Sequence, residues 1–373
     1  MSQLKVNAIS DAAGANGNAI ALATDGSCTV KATNNLSNRN LIINGAMNIS
    51  QRATTSTANG YGSLDRWKIS YGGADEAVTH AQHALTSSDT GPWAKGFRNS
   101  LHLTNGNQTG GADAGDYSQI AYRVEAQDLA NSGWDYTSAS AYITVSFWVK
   151  ASVAQTYYCN LETSDGTAQL YSFSTGALSA NTWTKVTKTI PGNANVTVNN
   201  DNGVGVILII NQFLGTTYTT SGHTLNQWAA AGSYADMAPD MTSTWWTTND
   251  ATFEITGVQL EVGDYATDFE HRSYGYELAR CQRYFWSLNM NTGTPYRWMF
   301  PLSTGNYRRV SIEHPTTMRA APTASNAAGF NNAVAGTPTG TQHEDVDHIC
   351  FHWNVSAGSH LAYLTAADFS AEL

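Results

Sequence analysis

Between residues 40 and 270 the chain alternates short runs of apolar and polar residues with clusters of Gly, Asn and Asp. Arg66-Trp67-Lys68-Ile69-Ser70-Tyr71 places apolar side chains at every second position, as do residues 100–103 and 117–124. That period puts alternate side chains on one face of a strand. Residues 141–149, 156–161, 169–173, 182–190, 204–213 and 252–260 continue the series, rich in the β-branched and aromatic residues that suit a pleated, half-buried surface. Leu41-Ile42-Ile43 reads as a further short strand. Turn signals such as Ser164-Asp165-Gly166 and Gly192-Asn193-Ala194-Asn195 separate the runs. Many short strands with long intervening loops predict an all-β jelly-roll sandwich. Within residues 141–149, Phe147 and Trp148 must face opposite sides of their strand, one of them into the core.

The flanks differ from this centre. Residues 1–38 are rich in Ala, Asn, Gly and Thr and contain no Trp, Tyr or Phe, so they cannot build a core alone. They are either a flexible tail or an arm for attachment and oligomerisation that orders against other subunits. After the jelly roll (residues 39–272), Tyr274, Leu278, Cys281, Phe285 and Leu288 recur at steps of three and four. This apolar stripe predicts a connecting helix within residues 273–290. Beyond it, Phe300-Pro301, His314-Pro315, Ala321-Pro322 and Thr337-Pro338 break the chain repeatedly, and residues 308–312 and 348–355 read as strands. Residues 291–373 are therefore expected to form a small C-terminal β domain.

Composition narrows the class. In 373 residues, 42% are hydrophobic and 11% aromatic, enough for a sizeable core, while 13% are charged against a usual ~25%. The net charge of −10 argues against a duplex-DNA binder, which needs a basic face to release counterions, and against a polybasic membrane anchor. The longest apolar run, Val204-Gly205-Val206-Ile207-Leu208-Ile209-Ile210, is far short of the ~20 residues of a spanning helix, so no membrane insertion is expected. Met1-Ser2-Gln3-Leu4-Lys5-Val6 shows no basic region leading into an apolar stretch, so no Sec-type signal is expected either. The four cysteines are widely separated with no CxxC pair, which excludes a zinc ribbon and favours buried free thiols.

Several strings occur together in one order. Asn40-Leu41-Ile42-Ile43-Asn44-Gly45 leads to Gln51-Arg52 and Leu64-Asp65-Arg66-Trp67. Tyr122-Arg123-Val124-Glu125, Val145-Ser146-Phe147-Trp148-Val149-Lys150-Ala151-Ser152 and Thr182-Trp183 follow. Ile255-Thr256-Gly257-Val258-Gln259-Leu260-Glu261-Val262-Gly263 precedes Ala266-Thr267-Asp268-Phe269-Glu270 and Glu277-Leu278-Ala279-Arg280-Cys281-Gln282-Arg283-Tyr284. Over residues 40–290 this set resembles a family of tail-fibre-like virion proteins of marine bacteriophages, cyanophages among them, whose domains look like jelly-roll carbohydrate-binding modules. Pro315-Thr316-Thr317-Met318-Arg319-Ala320-Ala321-Pro322-Thr323 and Phe369-Ser370-Ala371-Glu372-Leu373 are similar to C-terminal domains of the same proteins. The resemblance implies a homotrimer, made in the host bacterial cytoplasm and built into the virion, that contacts other virion proteins through residues 1–38. It further implies receptor binding: adhesion to a host-surface glycan without turnover. A capsid decoration or head-fibre protein with no glycan role, and a polysaccharide-degrading tailspike, are the alternatives. The shared strings themselves look structural; Asp65-Arg66 reads as a local ion pair, and Gln259 and Glu261 share a strand face.

For ligand chemistry, residues 211–250 stand out. Tyr218, Trp228, Tyr234, Trp245 and Trp246 alternate there with amides and carboxylates, a mixture suited to stacking on a sugar ring and bonding its hydroxyls. The same aromatics also suit a subunit interface or a cap on the core. Glu261, Asp264 and Asp268 are candidates for a structural calcium, which prefers carboxylate and carbonyl oxygens, although ion pairing or helix capping accounts for them equally. His348, Cys350 and His352 alternate along one strand and could offer ligands to a metal, the alternative being an ordinary polar face. No other cofactor is expected. No GxSxG, Walker loop, HExxH or paired Cys-His signature is present, and no spacing favours a pair of acids for glycoside hydrolysis, so no catalytic residue is assigned.

Overall fold

The structure is a computed structural model. It describes residues 38–232, 234–288, 311–325, 345–348 and 368–373 in full, and the backbone of the strands at 8–10, 18–22, 28–30, 289, 296–300, 307–310, 331–332, 343–344, 349–354, 360–364 and 366–367. Its centre is an antiparallel jelly-roll sandwich. Twelve strands build it: β1 (Thr55–Ser56), β2 (Trp67–Gly72), β3 (Thr79–Ala84), β4 (Asn99–Thr104), β5 (Tyr117–Glu125), β6 (Tyr142–Ala151), β7 (Thr156–Thr163), β8 (Gln169–Ala177), β9 (Thr184–Pro191), β10 (Val204–Leu214), β11 (Trp228–Ala230) and β12 (Thr252–Val262). One six-stranded sheet runs in the order β11-β8-β7-β10-β5-β2, the other β9-β6-β12-β4-β3-β1. Nine of these strands fall where the alternating runs place them.

The facing sheet surfaces meet in one continuous core. Leu101, Leu103, Ile143, Val145, Phe147, Val149, Cys159, Leu161, Leu208, Ile210, Phe253 and Ile255 all point into it. Phe147 is the inward member of its pair and Trp148 the outward one. Leu41-Ile42-Ile43, expected as a strand, is instead an irregular plug between the sheets and the following helix. Its amides bond to the β12 carbonyl of Leu260, to Asn40 Oδ1 and to the Tyr122 hydroxyl, so they are satisfied without a continuous strand ladder.

The helix is shorter than its stripe suggests. It spans Tyr274–Gln282, with Glu277 and Cys281 on the buried side and Tyr274 exposed. Phe285 and Leu288 belong to a strand, Phe285–Asn289, which pairs antiparallel with Ala366–Ser370. Alternating side chains take over there because Trp286 stacks on Phe369, with ring centroids 4.5 Å apart, and donates its indole N–H to His314 Nδ1 at 2.9 Å.

The last residues return to the sandwich. Glu372 pairs with Arg52 and Arg66, and the Leu373 carbonyl accepts from Tyr61 and Arg123. Asp65 and Arg66 are thus not a local ion pair: Asp65 faces Gln51 and Arg52, and Arg66 reaches the C-terminus. Near the N-terminus, the backbone strands Ala8–Ser10, Asn18–Leu22 and Cys28–Val30 form a small antiparallel sheet, while the rest of residues 1–37 lies outside the described residues. Among the described residues no helix is long and apolar enough to cross a membrane.

Candidate functional site

The aromatic loop does not stand out from the surface. Residues 215–232 and 234–243 fold back over the outer face of the β2-containing sheet, where Leu170, Ile209, Leu214, Met237 and Ala238 form a second apolar cluster. Asn160 Nδ2 and Ser172 Oγ, on two adjacent strands, both donate to the Met237 carbonyl at 2.7 and 3.0 Å and hold the loop down. Trp245 and Trp246 are fully buried, which removes both from the sugar-contacting set. Trp246 stacks on Phe213, and the two indole N–H groups are spent on Thr252 O and Gly111 O. Large flat rings gain more by closing the end of the core than by facing water. Tyr218 is half-buried edge-on against Tyr117, and Trp228 packs on Tyr171 and donates to Pro191 O. Tyr234 is exposed.

The proposed calcium ligands do not converge. Glu261 is buried, and its carboxylate accepts from Thr267 N, Thr267 Oγ1 and Gln259 Nε2 within 2.8 Å. Asp264 and Asp268 are exposed, and Asp268 faces Lys95 at 3.9 Å. Through these contacts Glu261 fastens the chain after β12. His348 sits half-buried opposite Glu313 in a strand pair, and the side chain of His352 lies outside the described residues.

A cleft that sequence spacing did not reveal opens on the outer face of the other sheet. It encloses about 290 Å³, with Ser146 and Trp148 of β6 at its floor and Phe97, Phe269 and His271 along one wall. Lys95, Lys185 and Asp268 stand exposed at its rim. Local geometry explains the wall. β12 carries a bulge between Thr256 and Gln259, and Gly257 there takes φ +63°, a left-handed conformation that suits glycine. The Phe97 ring fills the space a Cβ would need. Phe97 packs on Phe269 and His271 with centroids 4.8 and 5.1 Å apart, and His271 Nε2 lies 2.8 Å from Lys95 O. The ring trio therefore ties the segment after β12 to the 93–97 turn and fixes the opening over Trp148.

No family model and no curated protein matches the chain. Several solved structures match part of it at low identity and low TM-score. The enzymatically active domain of tailspike protein 4 of bacteriophage CBA120 matches with a TM-score of 0.33 and 12% identity, over 60% of this chain and 22% of that one. TmCBM61 in complex with β-1,4-galactotriose matches with a TM-score of 0.29 and 12% identity, over 60% and 97%. The N-terminal cellulose-binding domain of a Cellulomonas fimi β-1,4-glucanase matches with a TM-score of 0.28 and 13% identity, over 59% and 99%. The chain thus spans about a fifth of the tailspike's own length.

Beside the cleft, on the same sheet face, lies a charged row. Lys150 Nζ is 2.9 Å from Glu254 Oε1 and 3.0 Å from Asp89 Oδ1, which also accepts from the Trp183 indole at 3.0 Å. Burial pushes the Glu254 carboxyl up, but the His102 ring, Lys150 and Ser100 around it more than offset this and hold it well below the usual carboxylate range. Asp89 is likewise held down, to about 2: burial opposes the shift, and Trp183, the Thr86 amide and Lys150 outweigh it. A larger opening of about 600 Å³ lies elsewhere, lined by Arg39, Gln127, Asp128, Tyr276 and Arg280 around Leu41 and Val262. Asn38 also lines it, and among the described residues no tryptophan does.

Proposed function

We propose that this chain is a non-catalytic adhesin of a bacteriophage particle, a trimeric tail-fibre component that holds host-surface glycan in the cleft over Trp148. The carrying observation is the combination at that cleft: a half-buried Trp148 ring flanked by Phe269, with Lys95, Lys185, Asp268 and His271 around it. An indole face takes the apolar CH face of a sugar, and charged tips at the rim bond its hydroxyls. At about 290 Å³ the cleft lies at the small end of ligand sites (~300–1,000 Å³), so a single contact is weak. Several copies on one particle raise the effective concentration of each further contact, which makes weak sites sufficient for adsorption. Asp268 is the one carboxylate among the residues lining the cleft, which supports holding rather than hydrolysis, since glycosidases use two. The ordered strings shared with tail-fibre proteins support the virion setting.

The test is glycan-array and host-cell binding by the full chain and by Trp148→Ala, with Lys185→Ala and Asp268→Ala as surface variants that leave the core untouched. Loss of binding by at least about tenfold in Trp148→Ala, with an unchanged melting curve, supports the site. Equal binding by all three variants removes it. A monomer mass by light scattering would overturn the trimer.

A further inference from the structure

A different cluster on the same sheet face has the geometry of a metal centre. His83 of β3, His102 of β4 and Glu254 of β12 come from strands whose register is fixed, with His102 directly opposite Glu254 and His83 opposite Ser100. One ligand atom from each of the three lies within 4.8 Å of the other two. His83 Nδ1 is 3.1 Å from Glu254 Oε2, and His102 Nδ1 is 3.3 Å from Glu254 Oε1. Ligands bound tetrahedrally at ~2.0–2.1 Å from zinc stand roughly 3.3 Å apart, and the two nitrogen–carboxylate separations, one to each oxygen, are of that size.

The surroundings of His102 support it. Its Nε2 lies 3.2 Å from Thr104 Oγ1, whereas its Nδ1 is buried and has no hydrogen-bond partner. A ring that donates from Nε2 to a hydroxyl turns a Nδ1 lone pair toward the Glu254 carboxylate. In that tautomer Nδ1 and a Glu254 oxygen can ligate one cation. Orientation of a ligating imidazole by a hydrogen bond from its far nitrogen is the usual support of such sites. Glu254 is itself held by Ser100 Oγ, at 2.7 Å from Oε2, and by Lys150. With neutral imidazoles, Glu254, Asp89 and Lys150 together carry one net negative charge, which favours a divalent cation despite the ammonium nearby. The His83 side chain is about half exposed, 49%, leaving an entry path and room for a water ligand.

We propose that His83, His102 and Glu254 bind a zinc-type transition-metal ion that pins β3, β4 and β12 together. The site differs from the calcium and histidine sets read from the sequence, and it does not depend on glycan binding. Untagged full-length protein is titrated with zinc chloride by calorimetry and with cobalt(II) by visible absorption, beside His83→Ala and His102→Gln. The expected result is one ion per chain, a higher melting temperature with zinc, a cobalt spectrum of low coordination number, and affinity lower by ~10–100-fold in each variant. No uptake at about millimolar zinc would overturn the proposal. So would unchanged affinity in both variants, with melting curves confirming that they fold.

Discussion

Arg66 and Glu372, 306 residues apart in sequence, form a buried ion pair, with the Arg66 guanidinium centred 3.5 Å over the Tyr284 ring. Arg66 also donates to the Arg123 carbonyl at 2.7 Å. Burial alone would favour a neutral Arg66, but Glu372 and the surrounding tyrosines hold its pKa well above the ordinary value. The pair locks the C-terminus into the sandwich. Arg66→Met leaves Glu372 buried without its main partner, and breaking such a pair costs ~3–5 kcal/mol. Chemical denaturation should show a loss of that order, and Glu372→Gln should show a similar one. The double variant should lose less than the two single losses added, because each disrupts the same contact.

Asp65 makes stability depend on pH. Burial raises its carboxyl to about 6 from an ordinary 3.8, against hydrogen bonds from Gln51 and the charge of Arg52. The folded chain therefore holds this proton more tightly than the unfolded chain does. Its contribution is fully present below about pH 4 and is lost as pH rises through about 6, a change of ~3 kcal/mol. Glu254 and Glu270 act in the opposite sense: their lowered values add stability above the ordinary carboxylate range, and it is lost as pH falls. Urea melts from pH 3.5 to 7 should show Asp65→Asn removing the decline between about pH 4 and 6, and Glu254→Gln removing part of the acid limb.

Period-two patterning made most of the sandwich legible, down to the opposite orientations of Phe147 and Trp148. β3 escaped because Thr-His-Ala-Gln-His-Ala carries no large apolar residue. Its inward His80 is accommodated by a 2.6 Å hydrogen bond to Ser63 Oγ, which no local pattern announces. The overlong helix has the same origin: spacing continued the stripe through Phe285 and Leu288, while pairing with Ala366–Ser370 decided the local structure. The cleft was hidden because Lys95, Trp148, Lys185 and His271 come from four separate segments. In residues 211–250, aromatic content alone could not distinguish rings that stack on a sugar from rings that stack on Phe213.

Trp245 and Trp246 give a sharp contrast with Trp148. Their backbone carbonyls both accept from Asn105 Nδ2, at 3.3 and 2.5 Å, so rings and backbone close the core as a unit. Either alanine substitution should cost ~3–5 kcal/mol, as deletion of a buried aromatic ring does, and lower the melting temperature by roughly 10 °C or more. Any loss of cell binding should track the loss of folded protein. Trp148→Ala should show the reverse, lost binding with little change in melting. If Trp245→Ala abolished binding while melting like the parent, the assignment of that ring to the core would be wrong.

Gly257 links the fold to the cleft. A Cβ at this position would lie 2.5 Å from Phe97 Cζ, and the backbone φ of +63° adds strain for any residue with a side chain. Gly257→Ala must therefore displace the Phe97 ring, which carries Phe269 and His271 with it. The expected stability loss is about 1–3 kcal/mol, the range of overpacking and backbone strain. The informative readout is at the cleft: the intrinsic fluorescence of Trp148, isolated by comparison with Trp148→Ala, should shift as the wall moves. Phe97→Ala in the same chain should relieve the clash and recover part of the lost stability. No recovery would mean that the strain lies in the backbone alone, and that the bulge shapes β12 without setting the cleft.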